Sequence, residues 1–151
     1  MNQEKTYVGS CFCGAVEFEL NGKPEAMAYC HCDSCRHWST ALVSAFTLWR
    51  PDAIKILRGL EKIATYNRNP LTDNEDIVSE RQWCKSCGGH ICTEHPAMEL
   101  IDVPAAVIRD LPFEPGFHVH YQESVHHMQD GLPKFRDLPR EAGGSGEELT
   151  E

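Results

Sequence analysis

The 151-residue chain contains no apolar run approaching the ~20 residues that a helical membrane crossing needs, so no membrane partner is expected. Its opening, Met1-Asn2-Gln3-Glu4-Lys5-Thr6, is polar and has no hydrophobic segment behind it. A secretory leader is therefore not expected, and the cytoplasm is the expected compartment. Positive charge is scarce: 14 Lys and Arg stand against 23 Asp and Glu, a formal net charge of −9. A field of that sign repels phosphate backbones, which argues against a nucleic-acid partner. A small anion held by a local basic patch stays compatible with it. Helical periodicity is weak throughout and no internal repeat is present. Residues 104–111 alone suggest a short helix or turn, with Pro104 near its start.

What the chain does have is alternation. Ala15-Val16-Glu17-Phe18-Glu19-Leu20 reads apolar-charged-apolar, as a half-buried strand does, and Asn21-Gly22 behind it is a turn signal. Further short strands are predicted at 27–29, 41–47, 54–57, 63–66, 77–83, 90–93, 100–103 and 118–121, punctuated by Pro and Gly. The fold class is mainly β. One domain is expected over 1–140, long enough to bury its own core. Residues 141–151 are Gly, Ser and Glu with almost nothing apolar, and are expected to be a disordered acidic tail.

The chain also has eight cysteines. In a reducing compartment such a count points to metal binding or catalysis rather than disulfides. Seven of them form three groups: Cys11-Phe12-Cys13-Gly14, Cys30-His31-Cys32-Asp33-Ser34-Cys35, and Cys84-Lys85-Ser86-Cys87-Gly88-Gly89. Each spacing suits a tetrahedral thiolate site. On an extended chain Cys11 and Cys13 face one way and Phe12 the other. In Cys84-x-x-Cys87-Gly88 a tight turn brings both sulfurs to one ion, with Gly88 supplying a positive φ.

Pairing Cys11 and Cys13 with Cys84 and Cys87 completes a four-cysteine structural site. Cys30, Cys32 and Cys35 then remain as three thiolates, and three protein ligands leave a tetrahedral position for water or a substrate thiol. The reading is thus two Zn²⁺ per chain, one structural and one catalytic, the second being the more easily lost or oxidised. The triad can also be closed by Cys92 or by a histidine, in which case both ions are structural. Cys92, inside a predicted strand, otherwise reads as a small buried hydrophobe. A plain redox use of the CxxC is a further alternative. Arg36 directly follows the triad and offers a guanidinium to a carboxylate. His37 lies close enough to act as an acid or base. His31 faces away from its neighbouring ligands, His118 and His120 share one strand face, and His126-His127 fall in a polar loop.

Gly9-Ser10-Cys11-Phe12-Cys13-Gly14-Ala15-Val16, Tyr29-Cys30-His31-Cys32-Asp33-Ser34-Cys35-Arg36 and Cys84-Lys85-Ser86-Cys87-Gly88 together resemble the glutathione-dependent formaldehyde-activating enzyme (GFA) family, which includes centromere protein V. Val119-His120-Tyr121 and Asp130-Gly131-Leu132-Pro133-Lys134-Phe135 are similar to it as well. The resemblance implies a β-tent of twisted antiparallel sheets. It also implies a structural zinc on Cys11, Cys13, Cys84 and Cys87 and a second zinc on Cys30, Cys32 and Cys35. The activity it implies is a carbon–sulfur lyase of the S-(hydroxymethyl)glutathione synthase type, with glutathione or another small-molecule thiol as partner. The alternative is a zinc-stabilised binding module without turnover. Ser39-Thr40-Ala41, where many relatives carry glycine, and the additional Cys92 depart from the family pattern.

Overall fold

A computed structural model describes residues 4–68 and 78–150. Its strands are β1 (Thr6–Ser10), β2 (Glu17–Asn21), β3 (Ala26–Cys30), β4 (Ser44–Trp49), β5 (Ile54–Arg58), β6 (Ile63–Tyr66), β7 (Glu80–Cys84), β8 (His90–His95), β9 (Leu100–Pro104) and β10 (Phe117–Val119); one α-helix, α1, spans Asp33–Ser39. The fold is mainly β, as expected. The chain divides into two compact units. One comprises Met1–Glu25 and Thr47–Phe113, the other Ala26–Phe46 and Glu114–Glu151.

In the first unit β1, β2 and β5 form an antiparallel sheet in that order. The alternation entering and along β2 has the predicted consequence: Val16, just before the strand, and Phe18 and Leu20 within it are fully buried, and Glu17 and Glu19 turn outward. A second antiparallel ladder runs β6, β7, β8, β9. Ile91, Ile101 and Val103 of that ladder join Phe18, Leu20 and Trp49 in one core cluster. Thr47 is buried in that unit, donating to Val103 O at 2.8 Å and accepting from Trp49 Nε1 at 2.7 Å.

The second unit holds a pairing that breaks the antiparallel expectation. β3 and β10 are parallel, with Val119 opposite Cys30. No hairpin can make such a pair, and the two strands lie far apart in the chain. The segment expected as an acidic tail makes several contacts over 145–148. Phe135 bridges Glu148, Arg136 Nη1 meets Glu147 Oε2 at 3.1 Å, and Ser145 Oγ donates to Asp137 Oδ1 at 2.7 Å.

Boundaries moved in other places. β1 was not foreseen, because Tyr7-Val8-Gly9 is short and contains a glycine. The strand predicted over 77–83 begins at Glu80, and Ile77 lies outside the described residues. The turn expected in 104–111 is a 3-10 turn at Ala105–Val107.

Candidate metal centres

Two cysteine groups could hold metal ions, and each lies within one unit. Cys11, Cys13, Cys84 and Cys87 bring their sulfurs within 4.8 Å of one another, as do Cys30, Cys32 and Cys35. The seven are the sulfurs singled out in the sequence, in the same two groups.

The four-cysteine centre is assembled by two turns. Gly14 N–H bonds Cys11 O at 3.1 Å and Gly88 N–H bonds Cys84 O at 2.8 Å, with both glycines at positive φ, 79° and 75°. Four ligands about 2.3 Å from a common centre at tetrahedral angles sit about 3.8 Å apart. Cys11 Sγ and Cys13 Sγ are 3.7 Å apart, and Cys13 Sγ and Cys84 Sγ 3.9 Å. The donor set therefore fits a tetrahedral ion of zinc's size. Backbone N–H groups already face the sulfurs: Val16 N to Cys11 Sγ, Ser86 N to Cys84 Sγ and Gly89 N to Cys87 Sγ, each 3.3 Å. Hydrogen bonds from the Cys13 and Gly89 backbone lower the Cys87 thiol to about 6. Cys13 feels the Ala15 backbone pulling it down, but burial and the sulfurs of Cys87, Cys11 and Cys84 push it up to about 11. Phe12 points away from the sulfurs and is 93% exposed.

The three-cysteine centre sits where β3 ends and α1 begins. Cys30 is the last residue of β3, and Cys32 is the N-cap of α1, its sulfur accepting from Cys35 N at 3.2 Å. A sulfur thus does what Ser or Asp does at most helix starts, and this concealed α1 in the sequence. Cys30 Sγ lies 3.5 Å from Cys35 Sγ. Hydrogen bonds from Cys30 and Cys35 pull the Cys32 thiol well down, while those from Cys32 and Cys35 push Cys30 up. Arg36 Nε donates to His31 O at 3.0 Å, and its Nη2 is 3.5 Å from Asp33 Oδ1.

Cys92 takes no part in either group. It is buried in the first unit's core, its thiol 3.5 Å from Gln82 Oε1 and pushed up to about 12, chiefly by burial. His37 is exposed. His118 and His120 do not share a face. His120 has left the strand with a φ of 53° and lies 3.5 Å from Glu123, whereas His118 is fully buried. There His118 forms a chain the sequence did not announce. His31 Nε2 is 2.8 Å from His118 Nδ1, His118 Nε2 is 2.8 Å from Asp130 Oδ2, and Lys134 Nζ is 3.0 Å from Asp130 Oδ1. Burial works to raise the Asp130 carboxyl, but hydrogen bonds from Lys134 and His118 prevail and hold it at about 2.

Comparisons with known proteins bear on this arrangement. A Rhodobacter sphaeroides protein of known crystal structure shares the fold, with a TM-score of 0.54 and 21% identity over 69% of this chain and 89% of that one. An uncharacterized lyase of Schizosaccharomyces pombe is 26% identical over 82 residues, 54% of this chain, and the match spans only about half of that protein, 53%. A Halomonas elongata protein provisionally named glutathione-dependent formaldehyde-activating enzyme is 26% identical over 133 residues, 86% of this chain and 79% of its own. The family described as glutathione-dependent formaldehyde-activating enzyme matches residues 6–123, a span that holds both cysteine groups, and the chain belongs to that family.

Proposed function

We propose that the chain is a zinc-dependent carbon–sulfur lyase of the S-(hydroxymethyl)glutathione synthase type, with glutathione or a related thiol as substrate. The observation that carries this reading is the difference between the two centres. One gathers four sulfurs, which close a tetrahedron; the other gathers three. Three ligands leave a position for a substrate atom.

The four-cysteine centre, with Cys11, Cys13, Cys84 and Cys87 as ligands, is the structural one. Cys30, Cys32 and Cys35 would hold the catalytic ion, giving two zinc ions per chain. When bound, zinc acts there as a Lewis acid that favours the deprotonated form of a thiol near neutral pH. In the reaction the thiol sulfur forms a bond to the aldehyde carbon, the carbonyl π bond breaks, and the proton lost by sulfur ends on the new hydroxyl. The chain's residues supply orientation. The Cys35 N–H holds the Cys32 thiolate, and Arg36, beside the trio, is the cation for a substrate carboxylate.

The test is magnetisation-exchange NMR on glutathione and formaldehyde at fixed concentrations, with and without the zinc-loaded protein. The reading expects faster exchange with the wild type and none above background with Cys32→Ser. An unchanged exchange rate with fully loaded wild type rejects the lyase activity. Saturable glutathione binding without rate enhancement would then favour the binding-module alternative.

A further inference from the structure

His31 stands between two cysteines of the three-cysteine centre, and its imidazole is wholly buried. Among the described residues its Nδ1 is a buried side-chain nitrogen without a hydrogen-bond partner. Its Nε2 meets His118 Nδ1 at 2.8 Å, and the far side of His118 meets Asp130 at 2.8 Å. Asp130 is itself held by Lys134 Nζ at 3.0 Å and by Leu132 N at 3.1 Å.

Proton counting fixes the roles along this chain. A carboxylate accepts, so His118 Nε2 carries a hydrogen. A neutral His118 then has a bare Nδ1, which accepts from the Nε2–H of His31, and His31 Nδ1 is left as a lone pair. The other arrangement makes His118 a cation and puts a hydrogen on His31 Nδ1. That orphans a buried N–H, which is rarer in proteins than an orphaned acceptor. It also adds a second buried cation next to Lys134, with one carboxylate between them.

The same residues fix the main chain that carries the ligands. His31 N donates to Val119 O at 3.1 Å, His31 O accepts from Arg36 Nε at 3.0 Å, and the His31 ring packs edge-on to Tyr121 at 4.7 Å. Cys30 and Cys32 flank this clamped residue. Partners beyond the ligands commonly set ligand orientation, and a polarised chain strengthens each of its links.

We propose that Asp130 is the positioning residue of the three-cysteine centre: through His118 it fixes His31 as the Nε2–H tautomer and so holds Cys30 and Cys32 at ligand spacing. Asp130 touches no substrate in this scheme. The proposal rests on the reading of Cys30, Cys32 and Cys35 as a metal centre, but half of its test does not.

That half is the long-range ¹H–¹⁵N spectrum of the full-length wild type, which reads the tautomers directly. Both His31 and His118 are expected as Nε2–H with a bare Nδ1. A hydrogen on His31 Nδ1 would overturn the proposal whether or not the centre binds metal. The second half titrates Co²⁺ into Asp130→Asn and His118→Gln against a chromophoric chelator, following the thiolate charge-transfer bands. His118→Gln keeps a donor for Asp130 and leaves the Asp130–Lys134 pair in place, but cannot reach His31. Each variant should bind Co²⁺ at the three-cysteine centre about ten-fold more weakly, with the four-cysteine centre unchanged. Asp130→Asn should also blur the His31 tautomer signature. Affinities within two-fold of wild type in both variants overturn the proposal. So does loss of the four-cysteine centre as well in both, which would make the network a general stabiliser. A wild type that binds no metal on the trio defeats the proposed function instead, and leaves the tautomer assignment to stand or fall alone.

Discussion

At the scale of single residues, the tightest constraint around the four-cysteine centre is Gly89. A β-carbon there would lie 2.9 Å from Phe12 N and 3.2 Å from Cys87 Sγ. Both neighbours are held, one in the Cys11–Cys13 turn and the other in the four-sulfur cluster, so neither can give way cheaply. Gly89→Ala should cost about 1–3 kcal/mol, as overpacking does. Chemical denaturation and the half-time of zinc release to a chelator would measure it, and an unchanged release rate would contradict it. This site was partly legible in the sequence, because ligand spacing is local chemistry. Cys11-x-Cys13 and Cys84-x-x-Cys87 announce themselves whatever the fold. Gly88 was anticipated from its turn; the role of Gly89 was not, since it depends on Phe12, which is remote in the chain.

At the scale of elements, β4 illustrates what alternation does and does not convey. Its end is fixed by a buried polar pair: Trp49 Nε1 donates to Thr47 Oγ1, which donates to Val103 O on β9. Thr47→Val keeps the shape and removes the acceptor, leaving the Trp49 N–H buried and unpaired. The expected loss is about 1–3 kcal/mol, and thermal unfolding with the Trp49 fluorescence maximum would register it. Thr47→Ser should restore most of the loss. β2 was readable because it is amphipathic on its own. The parallel partnership of β3 with β10 was not, since nothing local distinguishes a strand that pairs with a distant neighbour. α1 is hidden in the sequence for another reason: it is seven residues long and is capped by a cysteine sulfur. The chain His31–His118–Asp130–Lys134 was invisible because its first link joins residues 87 apart in sequence.

At the scale of the whole molecule, the two centres should respond differently to loss of a ligand. Cys84→Ser removes a donor buried in the first unit's core, and a structural site contributes folding energy outright. It should give an unfolded or aggregating chain. Cys32→Ser should leave circular dichroism intact and reduce bound zinc from about two to about one per chain. Elemental analysis on both variants decides, and equal behaviour of the two would erase the proposed division between them. Acid offers a separate test. The Asp130 carboxyl is lowered from 3.8 to about 2 in the folded chain. Its contribution is therefore complete above pH ~4 and fades as pH falls through the folded value. The stability gap between wild type and Asp130→Asn, read by urea denaturation, should be constant from pH 7 to 5 and narrow below pH 4. A gap that widened on acidification would reverse the sign.

The two compact units also carry a consequence for biosynthesis. Each is made of two stretches of chain, and the stretches interleave: the second unit's 26–46 is synthesised inside the gap of the first, and the first unit's 47–113 inside the gap of the second. Cys13 leaves the ribosome 71 residues ahead of Cys84, whose sulfur it meets at 3.9 Å. Long-range closure of this kind is slow to form. Cys11 and Cys13 are thus made well before Cys84 and Cys87 can join them, and neither unit is complete before the other has begun.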